Sequence, residues 1–140
     1  MTDSAKEELI RKAIEQQKEA YAPYSRYFVG AAVMTGSGTV YTGANIENAS
    51  YPAGICAERN AIFHAAACGE RKITAIAIVA GRDGVNTEYA SPCGICRQVM
   101  REFCNPKEMT VLLAKSPEDY IEKTLDELLP LGFGPENLPR

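Results

Sequence analysis

The sequence has no tryptophan and only one histidine, His64. A metal site that needs two histidines from one chain is therefore excluded, and any Ser/His/Asp or Cys/His catalytic arrangement would have to use His64. An excess of basic residues is also missing, since 15 lysines and arginines face 18 aspartates and glutamates, and the net charge is −3. This balance argues against a surface that follows nucleic-acid phosphates, so we expect no nucleic-acid partner.

Long apolar runs are missing as well. No segment approaches the roughly 18 consecutive apolar residues of a membrane-spanning helix. The start of the chain, MTDSAKEELI, is charged and lacks the apolar core of a signal peptide. We therefore expect no membrane partner and a cytosolic location.

What the chain does have is the composition of an ordinary globular protein, with 46% hydrophobic and 24% charged residues over 140 positions. One domain of this length buries roughly 68–70% of the surface that its unfolded chain exposes. Two domains of about 70 residues would each be marginally stable. We therefore expect a single domain that spans residues 1–140.

The spacing of apolar residues predicts an alternation of helices and strands. Ser4 and Glu7 form a plausible capping box for the first helix. The predicted elements are a helix at 4–21, a hairpin at 28–35 and 39–42, a loop at 45–54, a helix at 56–68, a strand at 73–80, a helix at 94–103 and a strand at 109–114. Residues 119–129 form either one helix or a strand at 120–123 and a short helix that Thr124 and Glu127 cap, and an irregular tail that includes Pro139 follows.

Strands separated by helices indicate βαβ crossovers. The order of the elements therefore predicts an α/β fold, in which a mixed sheet carries helices on both faces. An α+β arrangement is the alternative.

Five cysteines are the most informative residues in the sequence. An odd number in a chain expected in the cytosol argues against a disulfide framework and favours a metal site or catalysis. Three of them lie in two short segments, Cys56-Ala57-Glu58 and Pro92-Cys93-Gly94-Ile95-Cys96, and each segment opens a predicted helix. A C-x-E segment together with P-C-x-x-C is the known signature of zinc-dependent deaminases, here in the three-cysteine variant.

The remaining candidate ligands are too far along their helices to reach the same ion. Cys68 lies about 18 Å beyond Cys56 along a helix, and Cys104 about 12 Å beyond Cys96. We expect both thiols in the core and His64 on a helix surface or packed. Three thiolates then leave one zinc coordination position open, which is typical of a catalytic site. The alternatives to a catalytic zinc site are a structural zinc site, a thioredoxin-like C-x-x-C motif and three thiols that are simply buried.

Glu58 and two arginines are candidates for the chemistry around such an ion. Glu58 is two residues from Cys56 and could act as general base and then as general acid. Zinc with three thiolates carries a net charge of −1, which weakens its Lewis acidity. Arg59 and Arg97 could each donate hydrogen bonds to the thiolate sulfurs, and we expect these cations to restore that acidity.

Seven motifs in the same order make the sequence resemble the cytidine deaminases, specifically their small homotetrameric form. They are APYS (22–25), VGAA (29–32), NIENASY (45–51), CAER (56–59), SPCGICRQ (91–98), LLP (128–130) and FGP (133–135). The resemblance implies a three-layer α-β-α fold with a five-stranded mixed sheet. It also implies one zinc ion per subunit on Cys56, Cys93 and Cys96, with Glu58 as the proton shuttle.

The resemblance further implies how a nucleoside binds. Asn45 and Glu47 would hold the sugar hydroxyls, within a substrate-binding segment made of Asn45, Ile46, Glu47, Asn48, Ala49, Ser50 and Tyr51. The Ala57 N–H and Glu58 would read the pyrimidine edge, and Tyr27 would stack on the base where the family usually has phenylalanine. Phe133 would reach a neighbouring subunit's site, so that the homotetramer builds composite active sites.

The implied reaction is hydrolytic deamination of cytidine and 2′-deoxycytidine, a step of pyrimidine salvage. A carboxylate at Glu47 accepts hydroxyl hydrogens but repels a nearby 5′-phosphate, which favours a nucleoside over a nucleotide. Three alternatives remain. They are a deaminase for another aminopyrimidine nucleoside, an editing deaminase that the acidic balance disfavours, and a zinc-stabilised nucleoside-binding module without turnover.

Overall fold

The computed structural model describes residues 1–138, so Pro139 of the predicted tail lies outside the described residues. The helices and strands follow in the order α1 (Asp3–Gln17), β1 (Tyr27–Thr35), β2 (Val40–Ala44), α2 (Ala57–Ala67), β3 (Ile73–Arg82), α3 (Gly94–Glu102), β4 (Thr110–Ser116), β5 (Asp119–Thr124) and α4 (Leu125–Leu128). Short 3₁₀ turns occupy Tyr51–Ala53 and Pro135–Asn137.

The five strands form one mixed sheet in the order β2-β1-β3-β4-β5. β1 pairs antiparallel with both β2 and β3, and β4 pairs antiparallel with β5. β3 and β4 are parallel and are joined through α3. β2 and β3 lie on either side of β1 and therefore run in the same direction. The predicted α/β class with a mixed sheet is confirmed.

Helices cover both faces of the sheet because successive strand residues point to opposite sides. Ala32 of β1 packs with Leu9, Ile10 and Ala13 of α1 on one face. The opposite face is packed by residues of α2, α3 and α4, against Ala31, Val33, Ile76, Ile78, Val111 and Leu113 of the strands. The result is the three-layer α-β-α arrangement that the resemblance implies.

Glycines let the two long helices approach the sheet closely. A Cβ atom at Gly30 of β1 would lie 2.1 Å from the Ala13 carbonyl oxygen of α1. A Cβ atom at Gly43 of β2 would lie 2.5 Å from the Ala61 nitrogen of α2. Both distances are far shorter than any real contact, so each helix sits directly on the strand backbone.

The first helix differs from its prediction at both ends. Thr2, and not Ser4 with Glu7, is its N-cap, because the Thr2 hydroxyl accepts a hydrogen bond of 3.1 Å from the Ala5 N–H. The helix ends at Gln17 and does not reach Tyr21. Tyr21 instead donates its N–H to the Asn45 carbonyl over 2.9 Å, which draws the chain away from the helix axis.

The other predicted boundaries agree with the structure within two residues. At the chain end, the strand followed by a short helix is confirmed over the single helix. The reason is a complete capping box, in which the Thr124 hydroxyl accepts from the Glu127 N–H and the Glu127 carboxylate accepts from the Thr124 N–H.

The two spare cysteines lie in different environments. Cys68 is exposed, because it is the C-cap of α2 and follows the last buried turn, so its predicted place in the core is wrong. Cys104 is half-buried and packs against the core on the α2 and α3 face. His64 is exposed on α2, as predicted for a helix surface. Among residues 1–138, every helix is too short or too polar to cross a membrane.

Candidate active site

The N-termini of α2 and α3 meet at one edge of the sheet. β2 and β3 run in the same direction, so the loops that follow them leave the sheet at the same edge. Cys56 is the N-cap of α2 and Cys93 is the N-cap of α3, while Cys96 lies in the first turn of α3. The three Sγ atoms lie within 4.8 Å of one another.

This cluster fits one zinc ion. Zinc is bound tetrahedrally by cysteine sulfur at about 2.3 Å, and the three Sγ atoms lie close enough together to reach one ion. Cys56, Cys93 and Cys96 complete the cluster among residues 1–138, and His64, Cys68 and Cys104 lie outside it. A three-cysteine set leaves a tetrahedral ion one open position, which is the arrangement of catalytic zinc.

Hydrogen bonds favour a thiolate at Cys56. The thiol of Cys96 lies within hydrogen-bonding reach of Cys56 and, together with Arg59, lowers the pKa of Cys56. The same contact with Cys56, together with burial, raises the pKa of Cys96. Positive partial charge at both helix N-termini further favours thiolates here. Zinc binds the thiolate forms, so its binding to this cluster releases protons.

The two arginines expected at the sulfurs have different partners. The Nη2 atom of Arg59 donates to the Cys56 Sγ over 3.2 Å, and the Arg59 Nε is buried with no acceptor among residues 1–138. For Arg97 the expectation is wrong. Its guanidinium donates to the Pro92 carbonyl, the Leu128 carbonyl and the Ser91 hydroxyl, because α4 and the loop before Cys93 offer oxygens on that side of α3.

Glu58 is a buried carboxyl group next to the sulfur cluster. It lies in the first turn of α2, is only 6% exposed, and contributes to the wall of a cavity of about 580 Å³. Burial is the largest cause of its raised pKa, and the negative charge of Cys56 adds to the effect. A raised pKa makes a carboxyl group a better proton acceptor, as a general base requires.

Most of the predicted site residues line this one cavity. They are Tyr27, Asn45, Ile46, Glu47, Asn48, Tyr51, Cys56, Ala57, Glu58, Arg59 and Cys93. Cys96 lies beneath the cavity in the core. Ala49 and Ser50 are exposed and lie outside the lining, and Phe133 is an exposed aromatic on the C-terminal segment.

Asn45 has a structural task in addition to its place in the cavity wall. Its side-chain oxygen accepts from the Val29 N–H over 2.9 Å, and its side-chain nitrogen donates to the Tyr27 carbonyl over 2.8 Å. These bonds hold the start of β1, which carries Tyr27. One amide hydrogen and one lone pair remain for a ligand.

Glu47 is held as an ionised acceptor by the turn before β1. The Ser25 hydroxyl donates to its carboxylate, and the N–H groups of Tyr24 and Ser25 donate over 3.0 and 3.1 Å. These bonds, that of the Ser25 hydroxyl first, lower the pKa of Glu47. A carboxylate fixed in this way can accept hydrogens only, as a sugar-hydroxyl contact requires.

Sequence reasoning missed nine residues of the cavity wall. They are Tyr24, Ser25, Val29, Gly54, Ile55, Ile78, Ala80, Ala90 and Ser91. Tyr24, Ser25, Val29 and Ser91 belong to the family motifs quoted above, which was the one signal available for them. In the sequence, Ile78 and Ala80 indicate only a buried strand. Whether their side chains reach the cavity depends on where β3 lies relative to α2.

Comparison with known proteins agrees with this geometry. Residues 3–113 match the family model described as the cytidine and deoxycytidylate deaminase zinc-binding region. A cytidine deaminase of Halalkalibacterium halodurans is 47% identical over 130 residues, which cover 93% of this chain and 95% of the relative. One of Sporosarcina psychrophila is 45% identical over 132 residues, which cover 94% of this chain and 93% of the relative.

Solved structures show the same likeness. The crystal structure of cytidine deaminase from Burkholderia pseudomallei matches with a TM-score of 0.82 and 42% identity, over 95% of this chain and all of that one. The Mycobacterium tuberculosis cytidine deaminase matches with a TM-score of 0.75 and 36% identity, over 91% of this chain and 95% of that one. The three-cysteine cluster, the buried carboxyl group beside it and these matches place the chain in the cytidine and deoxycytidylate deaminase family.

Proposed function

We propose that the protein is a cytidine deaminase, which converts cytidine and 2′-deoxycytidine with water to uridine and 2′-deoxyuridine plus ammonia, in pyrimidine salvage. The observation that carries the proposal is the buried carboxyl group of Glu58 beside three converging cysteine sulfurs, in the wall of a cavity. Asn45 and Glu47, which could bind the sugar, also lie in the cavity wall.

The sulfurs of Cys56, Cys93 and Cys96 would hold the zinc ion. Zinc bound there supplies Lewis acidity, which makes a water molecule a nucleophile at neutral pH. The carboxylate of Glu58 takes up the proton that the attacking water loses. It passes this proton to a ring nitrogen, then takes the second proton from the hydroxyl now on C4 and delivers it to the amino group, which leaves as ammonia, so one carboxyl group serves each transfer in turn.

The first turn of α2 would orient the base. The Ala57 N–H belongs to the first helical residue, where backbone donors have no partner within the helix. Together with Glu58 it can pair with the polar edge of the pyrimidine, which turns the 4-amino group towards the metal. Tyr27 lies in the cavity wall and would stack on the ring.

The sugar would bind where Asn45 and Glu47 lie. The ionised Glu47 accepts hydrogens from the hydroxyls, and Asn45 uses its remaining amide hydrogen. The fixed negative charge of Glu47 disfavours a phosphate close to the sugar, so the substrate is a nucleoside and not a nucleotide. Ribose and 2′-deoxyribose both carry the 3′-hydroxyl, so both sugar forms of the nucleoside can make such a contact.

A cytosolic location is part of the proposal. All five cysteines lie within residues 1–138 and are free thiols. Three of them must stay reduced to bind zinc, which is the condition of the cytosol.

A homotetramer with composite active sites is the proposed assembly. It is supported by apolar side chains that are exposed on the single chain, among them Phe63, Ile95, Leu131 and Phe133. Phe133 is 56% exposed, and its carbonyl accepts from the Gln98 side chain over 2.8 Å. The aromatic ring is therefore presented outwards from α3, where a neighbouring subunit could receive it.

Replacing Glu58 by Gln tests the reaction. We expect the zinc-loaded protein to remove the ultraviolet absorbance of cytidine, and the Glu58→Gln variant to lose this activity while it retains its zinc, because the amide cannot move protons. The matched control is Glu8→Gln, on the opposite face of the sheet, which should keep the activity. Zinc binding without turnover on cytidine in the unmodified protein would instead indicate a nucleoside-binding module.

Replacing Arg59 by Ala tests the charge balance at the metal. Arg59 donates to Cys56, so its loss leaves more negative charge on the sulfurs and weakens the Lewis acidity. We expect turnover to fall by about 10–100-fold, the usual range for partners of metal ligands, while zinc content measured by atomic absorption stays near that of the unmodified protein. Turnover equal to that of the unmodified protein would refute this role.

Mixing two variants tests whether active sites are shared. Glu58→Gln subunits lack the proton shuttle but can contribute Phe133 to a neighbouring active site. Phe133→Ala subunits have the shuttle but contribute no aromatic ring to a neighbour. We expect mixed tetramers, formed by joint refolding, to be more active than the sum of the two variants assayed alone. If Phe133 serves its own subunit or none, mixing gives no gain.

A further inference from the structure

Arg97 connects two separate parts of the chain. Its Nε donates to the Pro92 carbonyl over 2.7 Å and its Nη2 donates to the Ser91 hydroxyl over 2.8 Å. Its Nη1 donates to the Leu128 carbonyl over 2.6 Å. One guanidinium group thus holds the two residues before Cys93 and the last residue of α4 together.

Among the three sulfur ligands, Cys93 has the least support of its own. Cys96 is fully buried in the first turn of α3, and Cys56 receives a hydrogen bond from Arg59. Cys93 is exposed and ends the long loop 83–93 that follows β3. Pro92, just before it, has no N–H, so its carbonyl is the only main-chain group of that residue that can form a hydrogen bond.

The other end of the connection is firmly anchored. Leu125 of α4 is fully buried, and its N–H donates to the Met109 carbonyl over 3.2 Å. The next residue, Asp126, donates its N–H to the Pro106 carbonyl over 2.9 Å. A carbonyl in the last turn of a helix has no donor within the helix, so Leu128 offers a fixed acceptor.

We propose that Arg97 is a positioning residue for the metal site, which holds the Ser91–Pro92 backbone against α4 so that Cys93 stays in place as a ligand. The proposal rests on the zinc site of the proposed function, and it replaces the expected contact between Arg97 and a sulfur. The planar guanidinium reaches three acceptors in different directions at once, which a lysine ammonium on the same helix cannot reproduce. Because Ser91 also lines the cavity, the same side chain fixes part of the cavity wall.

Zinc affinity of the full chain, measured by competition with a chelator, tests the proposal. We expect Arg97→Lys to bind zinc about 10–100-fold more weakly, the usual effect of losing a group that orients a metal ligand. Excess zinc together with saturating cytidine should restore its deaminase turnover, because Arg97 does not itself take part in the reaction. The matched control is Arg101→Gln on the same helix, which loses an ion pair with Glu136 and should bind zinc within about twofold of the unmodified protein.

An Arg97→Lys variant with unchanged zinc affinity would overturn the proposal. If that variant does not fold, Ser91→Ala decides, because it removes one of the three bonds. We expect it to bind zinc about threefold more weakly or worse, the equivalent of one net hydrogen bond, and an unchanged affinity would again contradict the role. The zinc-affinity measurements use no substrate, so an unmodified protein that binds zinc without deaminating cytidine would contradict the proposed function alone.

Discussion

The meeting of two helix N-termini at one edge of the sheet is the constraint on which the site depends. β2 and β3 run in the same direction on either side of β1, and the helices that follow them lie on the same face. Cys56 and Cys93 therefore cap neighbouring helices, and Cys96 follows one turn later. The partial positive charge at the N-termini of both helices favours thiolates where three of them must lie close together.

Negative charge around the metal is the difficulty that this arrangement creates. Three thiolates outweigh a zinc ion, and the carboxyl group of Glu58 lies close by in a buried position with a raised pKa. The hydrogen bond from Arg59 to Cys56 offsets part of that charge. Arg97, on the other helix, contacts backbone and hydroxyl oxygens instead, so one arginine adjusts the charge on the sulfurs and the other supports the shape of the site.

Local patterns were enough to predict the helices, the strands and the three cysteines, since capping residues, apolar periodicity and C-x-x-C spacing all act over a few positions. Features that depend on distant parts of the chain were not accessible in this way. One partner of Arg97 is Leu128, 31 residues away, and the backbone contacts of Asn45 depend on how β1 and β2 pair. Cys68 was expected in the core because it lies at the end of an alanine-rich, apolar helix. In the structure this end of the helix is exposed to solvent.

X-ray absorption spectroscopy of the zinc-loaded protein tests the central claim most directly. The account predicts three sulfur neighbours at about 2.3 Å and one lighter oxygen or nitrogen neighbour at about 2.0–2.1 Å. Four sulfur neighbours, or a folded protein that retains no zinc, would contradict it, since neither leaves a position at the metal for water.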